Sequence, residues 1–318
     1  IVRTLAGHLR GNLGIGMLPG APVAQSGGTL PAGAMPRSAA YPLWAQVTGN
    51  WSSLEGDGNA ATARTRMGGL FVGGDRNLGH GWRVGGALGY MDGRVEVDDR
   101  GSRSDVSSYT VALYGGKAWD AGPGKVSVLA GAAYTRHDID SRRNVDAGGA
   151  QTLKADYHAN ATQLFTELAY AMPAGKASVI EPYAGVTWIG QKTDGFTESG
   201  GSAALHSDSQ RDSITALTLG LRGKTRVELG AGAAELSAGV GWRHAAGDVD
   251  PGRSLSFVEG GGSSFRVSGA PIARDAAVLD LGAQVAVGRN TAVGLAYSGQ
   301  FGGGNADHSA SLNLKIRF

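Results

Sequence analysis

The sequence predicts an all-β transmembrane barrel of about twelve antiparallel strands, with an N-terminal α-helix inside the pore. Three observations carry this. Apolar and polar residues alternate with period two from Leu43 to Phe318. The connections between the alternating runs are short on one side and longer on the other. The residues ahead of Leu43 follow a different pattern altogether.

The composition is compatible with such a barrel. The 318 residues include 54 Gly, 10 Pro and no Cys, and the formal net charge is +2. Nowhere do roughly 18 apolar residues run together, which excludes a membrane-crossing helix. Mean hydropathy resembles that of a water-soluble protein, but so does that of a barrel, whose lipid-facing and lumen-facing residues cancel. Near-neutral charge argues against a nucleic-acid partner, which requires a basic face. The lack of Cys excludes a disulfide scaffold and thiolate metal sites, and no motif implies a cofactor. Ile1 opens no charged-then-apolar leader, so the expectation is that an export signal lies upstream of this chain.

Residues 1–13 place Ile1, Val2, Leu5, Leu9 and Leu13 near one face of a 3.6-period helix, with Arg3 and Arg10 off its centre. Gly7 and Gly11 make that helix marginal in water, so it needs a surface to lie on. It would span about 20 Å at 1.5 Å per residue. Residues 14–40, with Pro19, Pro22, Pro31 and Pro36, read as an extended irregular linker. The expected division is therefore 1–40, a helix and linker threading the pore, and 41–318, the barrel.

The last strand has the clearest alternation. Ala310, Leu312, Leu314, Ile316 and Phe318 alternate with Ser309, Ser311, Asn313, Lys315 and Arg317, giving one apolar and one polar face. The pattern recurs near 43–54, 64–76, 81–92, 107–119, 124–136, 160–172, 177–191, 215–228, 234–244, 277–287 and 293–301. In the second of these, Gly68, Gly69, Gly73 and Gly74 leave the phase open. Short connections fall at 77–80, 120–123, 173–176, 229–232 and 289–290. Longer ones lie near 55–63, 93–106, 137–159, 192–213 and 245–274, with a shorter one at 302–307. Outer-membrane barrels have tight periplasmic turns and longer outer loops. Aromatics near strand ends, among them Trp51, Trp82, Trp119, Trp188 and Trp242, fit the interfacial girdles. Phe318 ends at the short-turn side, so an even strand count starts the first strand there too. The segment ahead of Leu43 then begins in the periplasm or inside the barrel.

The polar phase carries Arg83, Arg222, Lys224, Arg226, Arg243, Lys315 and Arg317, with Glu167, Glu181, Glu228, Glu235 and Asp280. These charges belong in the lumen, because Arg or Lys on the lipid face at the midplane costs roughly 2–4 kcal/mol. They either bridge one another or grip the helix and keep the lumen wet. Gly85, Gly89, Gly131, Gly185, Gly239, Gly241, Gly282 and Gly294 share this phase. They either leave room for something in the lumen or permit sharp curvature.

The helix-plus-linker leader, LWAQVTGNWSSL in the first strand, the Gly-rich hairpin MGGLFVGGDRNLGHGWRVGGALGY and the terminal SASLNLKIRF, in that order, resemble the C-terminal translocator domain of type Va autotransporters. The resemblance covers essentially the whole chain. It implies an integral protein of the bacterial outer membrane that anchors an N-terminal passenger and mediates its secretion to the cell surface. The implied partners are outer-membrane lipid, the barrel-assembly machinery, periplasmic chaperones and the passenger itself. It also implies an assembly signal in Leu312, Leu314, Ile316 and Phe318, an alternation that a lipid-facing strand needs in any case. Some members cleave the passenger inside the pore by attack of an Asn side chain on its own backbone. The paired-Asn motif is missing here and Asn12 is the only Asn ahead of the barrel, which speaks against self-cleavage.

Two rival readings are a free-standing porin and an outer-membrane hydrolase. A porin is disfavoured because a helix in the lumen leaves a narrow path. For a hydrolase, His137 with Asp138 and Asp140, His206 with Asp208, and His244 with Asp248 and Asp250 lie in or beside the outer loops, and a His–Asp pair can activate water. No Gly-x-Ser-x-Gly elbow or His-Glu-x-x-His motif accompanies them, so no catalytic residue is assigned. Asp248–Asp250 lacks the ligand run of a calcium loop.

Overall fold

A computed structural model describes residues 2–13, 42–56, 61–97, 101–175, 177–229, 232–259, 263–287 and 290–316. Helix α1 (Val2–Asn12) is followed by β1 (Leu43–Leu54), β2 (Ala63–Gly79), β3 (Trp82–Val97), β4 (Ser102–Ala121), β5 (Gly124–Asp146), β6 (Ala150–Pro173), β7 (Ser178–Thr193), β8 (Phe196–Thr197) and β9 (Leu205–Ser207). Then come β10 (Gln210–Leu229), β11 (Gly232–Gly247), β12 (Gly252–Phe257), β13 (Phe265–Ser268), β14 (Asp275–Ala286), β15 (Thr291–Gly302) and β16 (Asn305–Ile316). Twelve of the strands close into one barrel in the order β1-β16-β15-β14-β11-β10-β7-β6-β5-β4-β3-β2. The first and last strands zip together from Leu43↔Ile316 to Leu54↔Asn305, leaving no open edge in the barrel wall.

The period-two alternation sorts side chains as expected. Leu88, Leu113 and Leu295 point outward and remain more than 60% exposed, a surface suited to lipid rather than water. The open phase of β2 resolves with Leu70 and Val72 outward and Phe71 buried in the lumen. Three of the inward glycines are explained by register. Gly89 pairs with Phe71, Gly85 with Tyr114 and Gly131 with Phe165. A Cβ at Gly89 would lie 2.2 Å from the Phe71 ring, and one at Gly131 would lie 2.5 Å from the Phe165 ring. Each ring thus lies across the bare backbone of its cross-strand neighbour, so the room these glycines leave is filled by aromatic rings of the wall.

The outer connections differ from expectation. The stretches 93–106 and 137–159 are mostly strand, because β3–β4 and β5–β6 run on as long hairpins; β5 and β6 keep their register up to Asp146↔Ala150. His137, Asp138 and Asp140 therefore sit within β5 and not in a loop after it. Beyond the bilayer a hairpin needs no apolar outer face, and polar cross-strand pairs sustain it instead. Arg94 donates to Asp105 at 3.0 Å, and His158 lies 2.9 Å from Asp138. The stretches 192–213 and 245–274 contain β8, β9, β12 and β13, which form a small sheet in the order β13-β12-β9-β8 at the outer end. The connection at 302–307 narrows to a tight turn through Gly304, whose φ is +72°.

The side with the short turns is the periplasmic end. Helix α1 lies inside the barrel. Leu5 and Leu9 have no exposed surface and pack with Ala6 against Trp44, Phe71, Tyr114, Leu129 and Phe165. That packing offsets the weak intrinsic helicity of a segment containing Gly7 and Gly11. Arg10 in the last turn suits the negative end of the helix dipole. The linker 14–40, the boundary placed at 40/41, Arg317 and Phe318 lie outside the described residues.

Candidate functional site

The site is the occupied lumen, and α1 is held in it at three levels. Near the periplasmic end, Asp75 of β2 carries a fully buried carboxylate. Its Oδ2 accepts from Asn12 Nδ2 at 2.7 Å and lies 2.8 Å from His8 Nε2, while its Oδ1 accepts from Arg83 Nε at 2.5 Å. Above it the His8 ring sits 5.1 Å from the Trp44 ring. Trp44 Nε1 donates to Tyr114 Oη at 2.9 Å, and that hydroxyl donates to the Gly74 carbonyl at 3.2 Å.

At mid-depth, Arg10 Nη1 donates to both Glu167 oxygens, at 2.9 and 3.0 Å. Arg222 Nη2 reaches the same carboxylate at 2.6 Å and also pairs with Glu181. The Arg222 guanidinium lies 4.2 Å over the Tyr183 ring. This group is largely screened from solvent, with side-chain exposures of 19% for Arg10 and 12% for Glu167. Towards the outer end, Arg3 bonds Ser298 and lies 3.4 Å from Asp280, and both members of that ion pair are more than 40% exposed. Gln46 donates to Thr4 at 3.2 Å.

The contacts orient the helix. Its first residues meet Asp280 and Ser298, a few positions from the outer ends of β14 and β15, and its last meet Asp75, near the periplasmic end of β2. The amino end of α1 therefore points outward. Each of the carboxylates Asp75, Glu167 and Asp280 is engaged by a cation, so the arrangement holds a segment in place.

The other lumen charges predicted from alternation lie off the helix or at its flank. Lys224 bridges Glu235 at 3.1 Å, Lys315 donates to Gln284 at 2.7 Å, and Arg226 pairs with Glu228 at 2.9 Å. Arg243 Nε is buried without a hydrogen-bond partner among the described residues. Of the assembly-signal residues, Leu312, Leu314 and Ile316 are outward and exposed. The residues that alternation did not single out are His8, Asp75, Trp44 and Tyr114. Asp75 was readable only once the phase of β2 was known, and its glycine pairs conceal that phase.

Of the outer His and Asp groupings, only His206 with Asp208 comes together; the other two are divided among different partners. Neighbours in a strand face opposite sides, so His137 bonds Ser108 at 2.8 Å while Asp138 pairs with Arg136 at 3.1 Å. His206 lies 3.5 Å from Asp208. His244 pairs with Asp275 at 2.9 Å, whereas Asp248 accepts from the Ser213 amide at 2.7 Å and Asp250 lies 3.4 Å from Arg274.

A twelve-stranded barrel closed on itself, with an apolar outer band and its own amino-terminal helix pinned in the lumen, defines a membrane translocator-type β-domain. Comparisons with known proteins agree. Residues 43–298 match the family model described as the autotransporter beta-domain, and the chain belongs to that family. An extracellular serine protease of Serratia marcescens is 34% identical over 278 residues, which cover 86% of this chain and 26% of that protein. The match thus spans only about a quarter of the length of that relative. The translocator domain of the autotransporter NalP from Neisseria meningitidis superimposes with a TM-score of 0.67 at 17% identity, covering 87% of this chain and 89% of that one. For the beta domain of the Bordetella autotransporter BrkA the TM-score is 0.62 at 20% identity, with coverage of 87% and 99%. The protein is an integral outer-membrane translocator domain that anchors and secretes a passenger.

Proposed function

We propose that residues 1–40 form the leader that joins a passenger to the barrel through the pore, and that residues 41–318 form the membrane anchor. The observation that carries this reading is the direction of α1: a passenger joined ahead of Ile1 leaves at the outer mouth. In this reading Leu5 and Leu9 seat the helix, Arg3 and Arg10 tether it to Asp280 and Glu167, and Arg222 with Glu181 buttresses Glu167. Lys224, Glu235, Arg226, Arg243, Lys315 and Arg317 keep the rest of the lumen polar. Leu312, Leu314, Ile316 and Phe318 serve as the signal read by the barrel-assembly machinery, with periplasmic chaperones holding the chain beforehand. The passenger's own activity, a serine protease in the Serratia relative, is a separate matter for the segment upstream.

Self-cleavage is not part of this reading. Asn12 has no Asn neighbour, and its amide is engaged by Asp75, which suits an anchor. The test is surface display. An epitope placed ahead of Ile1, exported behind a signal peptide, is expected to be labelled by antibody on intact cells and to remain covalently joined to the barrel. A folded barrel with no surface label refutes the export reading; a released epitope refutes the uncleaved leader.

A further inference from the structure

On the outward face, near the periplasmic end, β16, β1, β2, β3 and β4 enclose a groove of about 600 Å³. Its floor is low because Ala45 and Gly86 occupy outward positions there, and its walls are Leu43, Leu88, Leu113 and Leu314. Gly86 pairs with Gly74 on one side and with Leu113 on the other, so two adjacent outward positions carry no side chain at all.

The groove ends towards two cations. Arg76, the next outward position after Gly74, is exposed and makes no ion pair or hydrogen bond among the described residues. Lys117, paired in register with Trp82, holds its ammonium 5.7 Å from the centroid of the Trp82 ring. A Trp with lipid-facing cations marks the membrane–water interface, where such charges cost little. An apolar trough that opens onto two cations at this depth is complementary to an acyl chain joined to a phosphate, and basic sites of this kind bind anionic headgroups.

We propose that this groove binds an anionic phospholipid of the periplasmic leaflet, with one acyl chain over Gly86 and the phosphate between Arg76 and Lys117. It is a site on the wall of the barrel, distinct from the lumen. Seating a lipid there fills the gap left by the glycine-rich hairpin next to the β1–β16 seam.

The test is native mass spectrometry of the full chain in detergent, with equal amounts of phosphatidylglycerol and phosphatidylethanolamine. Phosphatidylglycerol adducts are expected to dominate. Replacing both cations (Arg76→Ser with Lys117→Ser) is expected to weaken them about thirtyfold, from about 1 kcal/mol per basic residue and a factor of ten per 1.4 kcal/mol. Gly86→Val fills the floor. Its Cβ would meet nothing closer than the Ala112 carbonyl oxygen, 3.4 Å away, so the barrel should fold and lose the adduct; Ala45→Leu fills the same floor should that variant misfold. Equal adducts with the two lipids, or wild-type adducts in either the double-serine or a filled-groove variant that folds, overturn the proposal.

Discussion

Truncating Arg10 should release the helix, whereas truncating Arg3 should scarcely disturb it. Arg10→Ala removes two charge-assisted hydrogen bonds to Glu167, at 2.9 and 3.0 Å, in a part-buried setting. Hydrogen bonds to charged groups contribute about 1.5–3 kcal/mol. Glu167 keeps Arg222, so no uncompensated buried charge adds to the loss. Alanine is the best helix former, which offsets the lost interaction of Arg10 with the negative end of the helix dipole. A loss of this size shifts the docked-to-open equilibrium about 10- to 150-fold, at 1.4 kcal/mol per factor of ten. The Arg3–Asp280 pair is more than 40% exposed on both sides, and exposed pairs contribute about 0–1 kcal/mol, or at most about a fivefold shift. Arg10→Lys keeps the charge but cannot span both oxygens in the same fork, so it should fall between. The assay is planar-bilayer recording of the purified barrel, scoring the fraction of time in the high-conductance state. Equal effects of Arg3→Ala and Arg10→Ala, or no rise for Arg10→Ala, would refute the reasoning that burial decides which anchor holds.

Two further predictions concern the wall and its outer extension. Gly89→Val should destabilise the barrel by about 1–3 kcal/mol, because its Cβ falls 2.2 Å from the Phe71 ring; urea unfolding followed on heat-modifiable gels checks this, and an unchanged midpoint sinks it. In the β5–β6 extension beyond the bilayer, a hydrogen bond that the protonated Asp140 carboxyl donates to Asp156, followed by burial and the Asp156 charge, pushes the Asp140 carboxyl above its ordinary value of 3.8. Asp105 is held below 3.8 chiefly by its hydrogen bonds to Arg103 and Arg94. The signs are opposite: the Asp140 contribution to stability is complete below 3.8 and is lost as pH rises through its folded value, whereas that of Asp105 is complete above 3.8 and is lost as pH falls through its folded value. Carboxyl ¹³C titration should place the two midpoints on either side of 3.8, and coincident midpoints contradict the assignment.

Much of the barrel could be read from sequence because alternation is a local property of the chain. In β16, each residue from Ser309 to Ile316 declares its own side, and no partner strand need be known. The same rule fails once the strands leave the bilayer. From His137 to Asp146 the outward face turns polar and the few apolar residues, Ile139 and Val145, fall on the inward one, so the alternation that marks a strand at 124–136 disappears although the backbone pairing continues. Hydropathy therefore makes the loop between the two strands look longer than the hydrogen bonding leaves it.

The lumen shows the complementary limit. Alternation identifies Glu167 and Arg222 as inward, but not that Arg10 will meet them, because their contact joins positions 157 residues apart and depends on how far α1 enters the pore. The Gly-rich hairpin makes the same point within a few residues. Gly85 and Gly89 face inward beneath Tyr114 and Phe71, while Gly86 faces outward and hollows the lipid side. As a string of letters these glycines are equivalent, and a one-residue change of phase exchanges their roles. Only the register separates glycines that receive a ring from the wall from those that leave space for a lipid. Gly89→Val and Gly86→Val should therefore part company, the first costing stability and the second costing bound phosphatidylglycerol.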